Sequence, residues 1–122
     1  MGEMDMGYFL EFLQKTRTLS WLDCSSMKGL NANMVGTILN SMATNPGIPQ
    51  FTVYFNSIGD FSNEQARPIS DVIYASPLKM IAFHFNNNNL DDIGIQYMLA
   101  AGLSNPNLKT FSLNRYFFLE IS

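Results

Sequence analysis

Positive charge is scarce in this chain and nowhere clustered. Seven lysines and arginines stand against ten acidic side chains over 122 residues, a net charge of −3. A surface that tracks phosphates needs a basic stripe, so nucleic acid is not an expected partner. Long apolar runs are missing as well. Asn, Asp or Lys breaks each one, and direct membrane insertion is not expected. The single cysteine, Cys24, has no second cysteine to pair with, which points to a reducing, cytoplasmic setting. With His84 the sole histidine, a metal site or a His-based triad would have to recruit weak partners. No phosphate-cradling glycine motif occurs, and no cofactor is expected. Residues 1–18 carry Glu3, Asp5 and Glu11 without a basic start, unlike a signal peptide. Yet 47% of the chain is hydrophobic and only 14% charged, so it has the means to build a core.

What the chain does have is a period. Four imperfect copies of Leu-x-x-Leu-x-Leu-x-x-Asn begin at Leu19, Ile48, Leu78 and Leu108, spaced 29, 30 and 30 residues apart. The copies run Leu19-Leu22-Cys24-Met27, Ile48-Phe51-Val53-Asn56, Leu78-Ile81-Phe83-Asn86 and Leu108-Phe111-Leu113-Tyr116. A fixed period of this length is the mark of a solenoid. Alternation within each copy suits a strand that sends Leu22 and Cys24, Phe51 and Val53, Ile81 and Phe83, or Phe111 and Leu113 inward. The back half of a unit has helical spacing, as in Leu30, Val35, Ile38, Leu39 and Ala43, or Leu90, Ile95, Met98, Leu99 and Leu103. Asn45-Pro46 and Asn105-Pro106 recur 60 residues apart, where Pro can end a helix. In the second unit Pro68 predicts a helix starting near that residue, after a looser stretch from Gly59 to Arg67.

The predicted class is therefore α/β, a partial horseshoe with parallel strands on its concave side and helices on its convex side. Residues 1–122 read as a fragment of one repeat domain. Within it, 1–18 form the helix half of a preceding repeat, and 19–47, 48–77 and 78–107 are repeats. Residues 108–122 give the strand of a truncated repeat plus an apolar tail. Both edges of such a sheet would lie open, which predicts aggregation of the isolated fragment.

Strand motif, period and helical back half resemble ribonuclease-inhibitor-type leucine-rich repeats across roughly residues 6–116. For that class the resemblance implies that Asn56 and Asn86 are structural asparagines tying down the turn after the strand, a role Met27 and Tyr116 cannot fill. Within the class the chain looks most like the repeat region of CARMIL-type regulators of actin-capping protein. Three stretches carry this: Leu22-Asp23-Cys24-Ser25-Ser26, the irregular second unit with Phe61-Ser62 and Pro68, and Leu99 to Leu108 with its Gly102-Leu103 helix end. The resemblance implies a non-catalytic protein–protein interaction module of an actin-cytoskeleton regulator. The alternatives are a leucine-rich repeat GTPase-activating protein, for which Arg17, Arg67 and Arg115 are unselected candidates, or a ligand-sensing domain of immune-receptor type.

Function is expected on the outward strand positions. They form three columns: Trp21-Gln50-Met80-Thr110, Asp23-Thr52-Ala82-Ser112 and Ser25-Tyr54-His84-Asn114. The candidate partner-binding residues are Trp21, Asp23, Ser25, Gln50, Thr52, Tyr54, Met80, His84, Thr110 and Asn114, with Trp and Tyr as favoured anchors. The bland reading of the same face is a solvated sheet that only holds the scaffold. Cys24 reads as a small core residue, and no catalytic or metal-binding residue is expected. Asp91-Asp92 reads as a helix cap. The Asn86–Asn89 run reads as a turn that suits left-handed backbone.

Overall fold

The computed structural model describes residues 3–27, 29–59, 63–75, 80–114 and 117–120. Residues 3–5, 63–64, 75, 114 and 117–120 are described by their backbone alone. Leu78, Phe61-Ser62, Arg115 and Tyr116 lie outside this set. Helix and strand alternate in the order α1 (Glu3–Lys15), β1 (Trp21–Asp23), α2 (Ala32–Ala43), β2 (Phe51–Tyr54), α3 (Asn63–Ala75), β3 (Met80–His84) and α4 (Asp92–Ser104). Two strands follow, β4 (Thr110–Asn114) and β5 (Phe117–Glu120). One sheet holds all five strands in chain order. The first four run parallel, each joined to the next through a helix, and β5 returns antiparallel to β4.

Local chemistry sets the element ends. Asn31 caps α2, its side-chain oxygen accepting from the Met34 N–H at 2.9 Å. Asp91 does the same for α4 through the Gly94 N–H at 2.7 Å, with Asp92 in the first turn where the helix dipole favours a carboxylate. Backbone at φ of 59°, 56° and 60° follows the first three strands at Ser26, Ser57 and Asn87, and Asn89 lies at 47°. Sheet bonding continues into these turns, with Ser26 N–H to Asn56 O at 2.8 Å and Ser57 N–H to Asn86 O at 2.9 Å.

All four helices pack on one face of the sheet. The core joins Leu13, Val35, Ile38, Leu39, Met42, Ile69, Ile73 and Met98 from the helices to Cys24, Phe51, Val53, Phe83, Phe111 and Leu113 from the strands. Phe83 is its centre, stacking on Phe85 at 5.7 Å and Phe111 at 5.8 Å. Neighbouring helices meet in sequence, α1 on α2, α2 on α3 and α3 on α4.

Two expectations are corrected by this arrangement. The helix of the second unit starts at Asn63, and Pro68 lies inside it. Packing against α4 outweighs the proline: Ala66 is buried beside Gly94, and the Arg67 guanidinium sits 5.9 Å above the Tyr97 ring. As expected, the sheet has two open edges among the described residues, at β1 and at β5, the tail adding an antiparallel edge strand beside β4. In β3, Met80 is fully buried and Ile81 only partly, the reverse of the predicted alternation. Here Met80 pairs with Phe51 and Ala82 with Thr52, so Ile81 is an extra residue in β3. Such a bulge turns the side chain before it to the other face.

Candidate functional site

The face of the sheet away from the helices is uncovered, and its lateral order differs from the motif columns. Trp21 pairs with Thr52, Thr52 with Ala82, and Ala82 with Thr110. Asp23 pairs with Tyr54, Tyr54 with His84, and His84 with Ser112. Relative to the motif, β1 against β2 and β3 against β4 are each displaced by two residues. A shift of two changes every lateral neighbour yet leaves each side chain on its face, because the strand period is two. Trp21, Asp23, Thr52, Tyr54, His84 and Thr110 therefore stay outward.

An aromatic row crosses three strands of this face. Trp21 is 55% exposed, and its ring centroid lies 5.5 Å from that of Tyr54 with planes tilted by 53°. Tyr54 stacks on His84 at 4.2 Å and 9°. Beyond His84, its Nδ1 lies 2.7 Å from Ser112 Oγ, which also accepts from Asn86 Nδ2 at 3.0 Å. Ser112 is 2% exposed, so its hydroxyl hydrogen needs an acceptor, and among the described residues His84 Nδ1 is the one within reach. This assigns the neutral Nε2–H tautomer. Burial also holds the imidazole pKa below its ordinary value.

Asp23, at the other end, is exposed, and its Oδ1 accepts from the Ser25 N–H at 2.8 Å. Ser25 is partly buried, its Oγ accepting from the Asn56 N–H at 3.1 Å. It serves the ladder between units and is not a free contact. Gln50 is exposed at the start of β2, beside a shallow depression shared with Ile81 and Lys109. Met80 is absent from the face, being in the core. The side chain of Asn114 lies outside the described residues.

Asn56 reaches turn backbone as expected, but that of the turn after β3, which leaves the turn after β2 to another asparagine. Asn56 Oδ1 accepts the Asn86 N–H at 2.8 Å, a bond from unit to unit, and Asn86 supports Ser112. Tying the turn falls to Asn88, 1% exposed, which donates to Phe55 O at 2.7 Å and accepts from Ile58 N–H at 2.7 Å and Gly59 N–H at 3.3 Å. It stands two residues beyond the motif asparagine, although β2 and β3 themselves pair in motif register. Asn45 is a second buried tie, donating to Leu13 O and Thr16 O at 2.8 Å each and accepting from Gly47 N–H at 2.7 Å. At the matching Asn105, Oδ1 accepts from Asn107 N–H at 3.0 Å, while the buried Nδ2 has no hydrogen-bond partner among the described residues. Recurrence of Asn-Pro marks both places in the sequence, and the asparagine, not the proline, makes the tie.

Cys24 is 1% exposed, and burial, aided by the Asp23 charge, pushes its thiol up to about 11. That favours an inert protonated side chain. Arg17 is exposed after α1, and Arg67 rests over Tyr97 on the helix side. Neither belongs to the outward sheet face. Among the described residues no group of three His, Cys, Asp or Glu side chains could hold a metal, and no helix is long and apolar enough to cross a membrane. No protein-family model matches the chain, and no curated protein matches it significantly.

Proposed function

We propose that this chain is part of a leucine-rich repeat solenoid of the ribonuclease-inhibitor type, acting as a non-catalytic, cytoplasmic protein-binding module. Its partner binds the outward face of the parallel strands. One observation carries the reading: Trp21, Tyr54 and His84 line up on a sheet face that no helix covers. Large, stiff aromatic side chains bury much area at small entropic cost, which makes them favoured interface anchors. The chain-order parallel strands, each followed by a helix on the same side, support the solenoid. The resemblance to CARMIL-type regulators makes actin and its capping protein the first partners to test.

The test is a pull-down of purified capping protein and actin by the immobilised wild-type chain, with Trp21→Ala, Tyr54→Ala and the helix-side control Tyr74→Ala alongside. Retention by wild type and Tyr74→Ala, with loss on the two sheet variants, is the expected result. Equal retention by all four removes the sheet face as the binding surface. Absence of retention by any of them removes this partner class.

A further inference from the structure

We infer that the Trp21–Asp23–Tyr54 corner selects an arginine side chain of the partner. This rests on the reading of the sheet face as an interaction surface and adds the chemistry of what it takes. Trp21 and Asp23 are two residues apart on one strand and share a face, and Asp23 is the lateral partner of Tyr54. Neighbouring strands lie about 4.8 Å apart, and two residues along a strand span about 6.6 Å, so one carboxylate and two rings fit a patch about 7 Å wide. The rings meet at a tilt of 53°, and Trp21 keeps 55% of its surface exposed. Asp23 Oδ1 is held by the Ser25 N–H, and Oδ2 has no protein partner among the described residues.

Charge complementarity names the occupant. At the described outward positions of the four parallel strands Asp23 is the one carboxylate, and there is no lysine or arginine. The neighbouring His84 is held neutral by burial, and the chain carries a net −3. A planar guanidinium can stack on an aromatic ring while donating to a carboxylate from its edge, which an ammonium cannot do as well. A neutral side chain lacks the charge attraction to Asp23 and to the ring faces, and an acidic one is repelled. The partner segment is therefore one that presents arginine to a strand face.

The experiment is a ¹⁵N NMR titration of the whole chain with a capped glycine–arginine repeat peptide at low salt. Its lysine, citrulline and glutamate twins serve as comparisons. Arginine peptide should shift resonances of residues 21–25 and 52–54, with affinity about tenfold above the citrulline twin and above the lysine twin. Asp23→Asn should lower that affinity about fivefold, with an unchanged melting temperature. Equal binding of the citrulline twin, tighter binding of the glutamate twin, or shifts confined to other residues would overturn the inference. The capture assay keeps the two ideas apart. If a retained partner is lost on Trp21→Ala while the arginine peptide shows no preference, the face stands and its cationic selectivity falls. If Trp21→Ala changes neither readout, both fall.

Discussion

Tyr54 and His84 are lateral partners on adjacent strands, their ring centroids 4.2 Å apart and their planes nearly parallel at 9°. The stack and the Ser112 bond hold a neutral imidazole between two strands, at the centre of the outward face. That relationship links the ladder to the candidate site, since the residues that align the strands also shape the surface.

A pH dependence follows from it. Burial lowers the His84 pKa, so below the ordinary histidine value of about 6.5 the unfolded chain binds more protons than the folded one. The stability contributed by neutral His84 is present above that pH, declines as pH falls through it, and levels off below the folded-state pKa. Thermal melts between pH 7.5 and 5 should show a larger decline for wild type than for His84→Gln. Parallel declines would show that His84 does not contribute.

Asn88→Ala should destabilise the chain by about 3 kcal/mol, because it strands the buried Phe55 O and Ile58 N–H. Asn86→Ala removes one bond to Ser112 and should cost about 1 kcal/mol. Urea unfolding of both variants tests the order. A larger loss for Asn86→Ala would return the turn-tying role to the motif asparagine.

Two helical glycines should respond in opposite directions to alanine. A Cβ on Gly36 would meet Val72 Cγ2 at 3.6 Å, an ordinary contact, so helix propensity should add up to about 1 kcal/mol. On Gly102 it would meet the Phe111 ring at 2.8 Å, and overpacking should cost about 2 kcal/mol. Calorimetric melting of Gly36→Ala and Gly102→Ala measures both; shifts of the same sign would contradict the packing described.

Cys24 should resist alkylation in the folded state. With its thiol pushed up to about 11, roughly one molecule in a thousand is thiolate at pH 8, and the sulfur is enclosed. Iodoacetamide labelling followed by mass spectrometry should be slow in buffer and fast in urea. Full labelling within minutes in native buffer would mean that β1 detaches readily.

Inward positions such as Phe51, Val53, Phe83 and Phe111 were readable because alternation and period act on single residues. Each names its own face, and the structure buries them. Asp91 was readable as a cap for the same reason, since its bond to Gly94 spans three residues. Met80 was misread because the bulge at Ile81 exists only against Phe51 and Thr52 of the adjacent strand. The α3 start was misread because Pro68 is a local signal, while the burial of Ala66 beside Gly94 of α4 is not.

By itself, then, the amino-acid order determined the alternation of strand and helix and most of the side chains that turn to the core. It also placed Trp21, Tyr54 and His84 on the open face, since a two-residue slip in register cannot move a side chain across a sheet. Only tertiary structure decided which of them meet. Lateral pairing depends on how two distant strands slide past each other. That sliding sets Thr52 against Trp21, puts Asp23 beside Tyr54, and brings Ser112 beside His84.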